Sequence, residues 1–252
     1  MSSKVKIWYS AISQTEYVGN TPAFYDTSQF DWTKNLESNY QLIYEELQAY
    51  LKTDQKLQAY FDKTLVTKSN SWKTIALMAW GVKFHKQMKQ FPQTMKILNT
   101  IPGLVSVSFN LLDSNSEIKS HFGDTNAIAR CHLGLDIPGT LPEIGFRVKN
   151  EEKSWEEGKL LMFCDGYIHS AFNNTDRPRF ILLFDIVLPE FQVKKNSICA
   201  SVLSSLFIQS TLSKLRIHKK PAKWILFPLL SISKYAAWTI KPMYNTVNKV
   251  LN

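Results

Sequence analysis

From residue 105 to residue 188 the chain is a series of short strand-like stretches set apart by polar, turn-rich segments, and few folds accept that pattern. In VSVSFNLL, Val105, Val107, Phe109 and Leu111 alternate with Ser106, Ser108, Asn110 and Leu112, the two-residue period of a β-strand. AIARCHLGLDI, GFRV, KLLMF and RFILLFDIVL follow as further strand candidates. Helical stretches come first. DWTKNLESNYQLIYEELQAYL sets Trp32, Leu36, Tyr40, Ile43, Leu47 and Tyr50 at steps of three and four behind a candidate N-cap, Asp31, which makes one apolar stripe. QTMKILNT predicts a second helix, ended by Pro102 and Gly103. Helices before strands, without βαβ alternation, argue against a parallel sheet. The expectation is a mainly β domain with flanking helices. Its antiparallel jelly-roll core spans about residues 70–190, and helices cover 30–65.

After Glu190, the last acidic residue, the character changes. Ten of the 30 lysines and arginines lie beyond it, from Lys194 to Lys249, leaving 20 bases against 21 acids before it. The net charge of +9 therefore belongs to the tail. Residues 191–252 show helical apolar spacing with Trp224, Phe227, Trp238 and leucine clusters, interrupted by Pro221, Pro228 and Pro242. This reads as a basic amphipathic helical extension suited to the plane of an anionic membrane. It reads equally as ordinary helices packed on the body with a solvated basic face. No stretch has the roughly 20 apolar residues of a membrane span. The bases are spread out and no aromatic-stacking motif accompanies them, so no nucleic-acid partner is expected. The opening MSSKVKIWYS lacks an apolar run, and Cys131, Cys164 and Cys199 are irregularly spaced. Neither a secretory signal, a disulfide framework nor a zinc site is expected. The expected location is the cytoplasm, free or peripheral on the cytoplasmic face of a membrane.

Polar rings and guanidinium groups interrupt the apolar strands. Ile128, Arg130 and His132 share one face of an extended chain. Arg179 opens the last strand, ten residues after His169 in FCDGYIHSAFNNTDRPR. A buried charge needs a partner, and two readings stay open. In one, the arginines are salt-bridged, the histidines structural, Asp124 and Asp165 turn residues, and His85 and His218 surface residues. In the other, neutral imidazoles hold a redox-active divalent metal while an arginine forks onto a carboxylate. Two histidines alone fall short of the usual two-histidine, one-carboxylate triad.

FYDTSQFDWTKNLESNYQLIYEEL, SWKTIAL, HFGDTNAIARCHLGLDIP, SWEEGKLLMFCDGYIHSAFNN and RFILLFDIVLPEF occur in that order between Pro22 and about Glu190. Together they resemble the aspartyl/asparaginyl β-hydroxylase family, which is related to the lipid A hydroxylases. The resemblance implies an oxygenase domain over residues 1–190, built on a double-stranded β-helix, or cupin-like, core. It implies an iron(II)- and 2-oxoglutarate-dependent dioxygenase, using dioxygen to hydroxylate an unactivated C–H bond. By position it implies His121 and His169 as the iron ligands, with Gly123 where a third, carboxylate ligand would otherwise stand. Arg130 and His132 would lie near the cosubstrate carboxylate beside the keto group, Arg179 on the distal carboxylate, and Trp72 as an aromatic wall. There are two departures. Asn110 stands where serine is usual, and an amide can still donate to a carboxylate. Ile128 replaces an arginine that grips an acidic substrate side chain. An apolar residue beside the metal, together with the basic tail, favours a lipid-like or hydrophobic small-molecule substrate. An aspartyl or asparaginyl residue in a peptide or protein is the second reading. A non-catalytic jelly-roll binding module with a basic tail is the reading of another class.

Overall fold

The computed structural model describes residues 6–251 apart from 14, 56, 61 and 216–222. Helix α1 (Ser10–Ser13) precedes α2 (Trp32–Ser38) and α3 (Tyr40–Leu51). Strands β1 (Gln58–Ala59), β2 (Trp72–Ala79) and β3 (Val82–Lys83) then lead to α4 (His85–Met88) and α5 (Pro92–Leu98). The long β run supplies β4 (Leu104–Leu112), β5 (Ser116–His121), β6 (Ile128–Asp136) and β7 (Ile144–Val148). It continues with β8 (Glu151–Lys153), β9 (Leu160–Cys164), β10 (His169–Asn173) and β11 (Arg179–Val187). Helices α6 (Lys195–Lys214) and α7 (Lys223–Leu251) follow.

The strands form two antiparallel sheets. The larger runs β1-β2-β4-β11-β6-β9, with β3 beside β2, and the smaller runs β5-β10-β7-β8. Successive strands cross between the sheets, giving the jelly-roll, double-stranded β-helix core. One face of the large sheet packs under the helices, where Val105, Val107 and Phe109 meet Ile43, Leu47, Phe91 and Leu98. The other faces the small sheet, where Leu112, Ile181 and Phe163 meet Ile118, Phe146 and Ala171. The alternation along β4 therefore separates two buried faces, and Asn110 on the inner one is 2% exposed.

The predicted stripe on the first helix is kept, with Leu36, Ile43, Leu47 and Tyr50 buried. The helix itself breaks at Asn39, whose side chain donates to the Asn35 carbonyl at 2.7 Å, a local bond that competes with helix continuation. Asp31 holds the N-cap position but makes no capping bond. His85 is half-buried, with Nε2 enclosed and unpartnered among the described residues. It opens α4 against β2 and is not the surface residue the sequence suggests.

Helix α6 starts against the body, with Ile198, Cys199 and Val202 joining the core beneath the large sheet. Helix α7 is tied to the β2–β3 turn. Asn245 Nδ2 donates to the Gly81 carbonyl at 2.8 Å, and Asn245 Oδ1 accepts from the Lys83 N–H at 2.9 Å. No helix among the described residues is long and apolar enough to cross a membrane. His218 and the side chains of Trp224 and Phe227 lie outside the described residues.

Candidate active site

Antiparallel pairing between β5 and β10 sets His121 opposite His169 as register partners. Side chains of register partners rise on the same face of a sheet, and these two rings lie 4.3 Å apart, centroid to centroid. The Nδ1–H of His121 donates to the Lys119 carbonyl at 2.8 Å, and that of His169 to the Tyr167 carbonyl at 2.8 Å. A carbonyl can only accept, so both rings carry their proton on Nδ1 and keep the Nε2 lone pair for a ligand. Burial lowers the pKa of both, and for His169 the neighbouring His121 and Arg130 lower it further. Neutral imidazole is the ligating form. Among the described residues no group of three histidine, cysteine or acidic side chains completes a metal cage. A side chain at position 123 would not supply the third ligand, because the Asp165 carboxylate fills the space a Cβ on Gly123 would need.

Asp165 lies in the turn after β9, as the sequence suggests, and is 0% exposed. Arg130 accounts for it. The Arg130 guanidinium meets Asp165 Oδ1 at 2.5 Å through Nη1, and Asp185 through Nε at 2.8 Å and Nη2 at 3.2 Å. Asp185 is the β11 register partner of Arg130. Two carboxylates thus fix the guanidinium from behind, the salt-bridged reading left open for Arg130. Burial pushes the Asp165 carboxyl up to about 6, with Arg130 drawing it back down. The half-buried Asp124 beside it is raised to about 7 by burial and by Asp165.

Arg179 is a different case. It is 2% exposed and, among the described residues, makes no ion pair and leaves Nε without a partner. Its guanidinium lies 4.4 Å above the Trp155 ring, and burial pushes its pKa down to about 9. The Trp155 indole N–H donates to His132 Nδ1 at 3.2 Å. Burial first, then Arg179 and Arg130, keep the His132 ring neutral. With Nδ1 accepting, the proton sits on Nε2, which is buried and also without a partner. Two orphaned N–H donors therefore flank one tryptophan, and unpaired buried donors are costly unless something binds them.

All seven candidate residues, Trp72, Asn110, His121, Arg130, His132, His169 and Arg179, line one cavity between the sheets. Phe146 and Phe163 wall it, each with its ring centroid 5.1 Å from that of His132. Trp72 stacks on Tyr60 at 3.6 Å and donates to Asn110 Oδ1 at 2.9 Å. The Asn110 amide already donates to Ser108 Oγ at 2.8 Å, so it is occupied rather than presented to a ligand. Ile128 is not a cavity residue. As the first residue of β6 it packs in the core beneath the helices, fully buried. Ile118, Ile181 and Leu183 provide apolar lining instead. Asp165, Asp185 and Trp155 were missed by sequence reasoning. Of these only Asp185, a charge inside RFILLFDIVL, carries the signal that drew attention to Arg130.

Comparison with known proteins gives the same direction. An ornithine lipid ester-linked acyl 2-hydroxylase of Rhizobium tropici is 36% identical over 177 residues, covering 68% of this chain and 62% of that one. The aspartyl/asparaginyl beta-hydroxylase of Homo sapiens is 30% identical over 170 residues, covering 66% of this chain and 22% of that one. The chain thus spans less than two thirds of either relative. A solved prolyl-4-hydroxylase from Pseudomonas putida is 15% identical with a TM-score of 0.39, over 62% of this chain and 98% of the other. That likeness is too loose to bear on chemistry. The model of the family described as Aspartyl/Asparaginyl beta-hydroxylase matches residues 37–189, well over half of the chain, and the chain belongs to that family.

Proposed function

We propose that this chain is an iron(II)- and 2-oxoglutarate-dependent dioxygenase that hydroxylates an unactivated C–H bond of a lipid-like or hydrophobic substrate. Residues 1–190 are the oxygenase unit, and the helices that follow are accessory. The observation that carries the reading is the company kept in one cavity. Two neutral, convergent imidazoles stand with two buried N–H donors, on His132 and Arg179, that await an anion.

His121 and His169 would hold the iron. Bound there, the ferrous ion with 2-oxoglutarate and dioxygen supplies the oxidation that hydroxylates the C–H bond, releasing succinate and carbon dioxide. The backbone carbonyls of Lys119 and Tyr167 fix the tautomer of each ligand ring. Arg179 binds the distal carboxylate of the cosubstrate, which compensates a charge that is otherwise buried alone. His132 Nε2–H supplies a further donor. Arg130, held by Asp165 and Asp185, lends positive potential without being free to swing. Phe146 and Phe163 keep the cavity dry. No general base is asked of the protein.

The substrate class rests on the apolar lining by Ile118, Ile181 and Leu183, and on the acyl hydroxylase at 36% identity. An aspartyl or asparaginyl residue of a peptide is the second reading, favoured by the human relative. The test is uncoupled turnover. With iron(II) and oxygen the protein should release succinate from 2-oxoglutarate, and His169→Ala should bring that release to background. A wild-type protein that binds neither iron nor 2-oxoglutarate would be a non-catalytic jelly-roll module instead. Lipids and metabolites compared between cells with and without the protein should show a species lighter by one oxygen when it is absent.

A further inference from the structure

A broad apolar surface lies away from the cavity, on helices α6 and α7. A groove of about 800 Å³ runs between α6 and α7, lined by Phe207, Leu212, Leu215, Leu229, Ile232 and Ile240 among others. Phe207 is 67% exposed, Ile232 70% and Trp238 56%. The two helices are joined along one side, where Ser204 donates to the Leu230 carbonyl at 3.0 Å and contacts Ser233. Among the described residues, Phe207, Leu215 and Ile232 of the groove lining stay exposed. Contiguous exposed apolar surface of this kind marks a binding face.

Charge selects the occupant. No acidic residue follows Glu190, and ten lysines and arginines do. Lys241 lines the groove itself, and Lys214 is exposed beside Leu215. Two copies of this face would bring like charges together with no acid in the segment to offset them, which opposes self-association. Tyr235, Trp238 and Tyr244, all exposed on α7, are ring-and-polar-tip side chains of the kind that settle at a membrane–water boundary. No described helix can span a bilayer, so the contact is in-plane.

We propose that the groove between α6 and α7, with the exposed face of α7, docks on an anionic lipid bilayer. The apolar seam takes acyl chains and the lysines face lipid phosphates. This goes beyond the chemistry proposed above and does not depend on it. The test is sedimentation of the full-length, metal-free protein with phosphatidylcholine vesicles, with and without phosphatidylglycerol. Binding to the anionic vesicles is expected, weakening as salt is raised. Ile232→Ser with Ile240→Ser should weaken it at least about tenfold. Lys214→Gln with Lys249→Gln should weaken it about fivefold per charge, and only on the anionic vesicles. Unchanged helix content by circular dichroism confirms that the variants fold. The proposal is overturned if the wild type ignores anionic vesicles or if both variants bind like it. It is also overturned if the apolar variant changes the sedimentation of the free protein, which would mark a face between copies. Because binding is read without iron or 2-oxoglutarate, its failure leaves the oxygenase reading standing.

Discussion

His132, His169, Asp165 and Arg179, inside the β sandwich, are each at most 5% exposed, whereas Phe207, Ile232 and Met243 on the C-terminal hairpin are each at least 67% exposed. The body hides groups that water would solvate, and the hairpin shows groups that water expels. In the body most of the cost is met internally, since Arg130 has two carboxylates and His132 has Trp155. What remains unmet along the cavity wall is specific: one guanidinium N–H and one ring N–H. On the hairpin the unmet surface is broad and carries little shape. The difference teaches how the two regions select ligands. On the readings proposed above, a cavity with two orphaned donors would choose a small anion by geometry, while an apolar groove flanked by lysines would choose a phase.

The contrast breaks or sharpens under substitution. Leu47→Ala, beneath the large sheet and 0% exposed, should cost about 2–5 kcal/mol in urea unfolding. Ile232→Ala on the hairpin should stay within about 0.5 kcal/mol, and equal losses would mean the groove is covered in solution. Arg179→Met should separate stability from function. Removing an unpaired buried charge leaves the melting temperature unchanged or higher. Affinity for 2-oxoglutarate, measured by calorimetry, should fall roughly 100-fold, about 3 kcal/mol, through loss of a charge-assisted pair. A melting temperature that drops sharply would instead make Arg179 a structural residue. Trp155→Phe keeps a ring against Arg179 and removes the N–H that sets the His132 tautomer. It should weaken 2-oxoglutarate binding about fivefold, near 1 kcal/mol. Nitrogen NMR should then show His132 sampling both neutral tautomers, and an unchanged spectrum would remove the positioning role.

The smallest effect concerns pH. Burial and Asp165 raise Asp124 from an ordinary 3.8 to about 7. A carboxyl raised in the folded state contributes stability below its unfolded pKa and loses it as pH climbs through the folded one. Asp124→Asn should therefore gain stability relative to wild type between about pH 4 and pH 8, by about 1 kcal/mol or less for a half-buried group. A difference that does not change over that range would mean Asp124 is solvated.

Legibility followed how local each signal is. The helical stripe through Leu36, Ile43 and Leu47 needs only neighbours three and four residues away, and it could be read directly. Arg130, His132 and Arg179 stand out because each interrupts an apolar strand. β5 is invisible to periodicity, since Ile118 is its single large apolar residue among Glu117, Lys119 and two serines. His121 could be noticed only as a histidine ahead of Arg130, and its place as an iron ligand came from family resemblance. Asp165 is the turn residue it reads as, but its burial was not legible, because that comes from Arg130 on another strand and from the missing side chain at Gly123. Strand parity placed Ile128 beside Arg130, but at the first position of β6 the side chain goes under the helices. Asn110 keeps its place in the cavity while Trp72 and Ser108 occupy its amide. No spacing rule reveals such commitments.

The cross-strand pairing of His121 with His169 reaches beyond coordination. β5 ends at His121, and the ladder loses its even register immediately past the partner, between His169 and Ala171. An ion gripped by both rings would act as a clasp at the free end of that ladder. Loading the site should then slow amide hydrogen exchange along Ser116–His121, so that occupancy can be read in the backbone before any product is made.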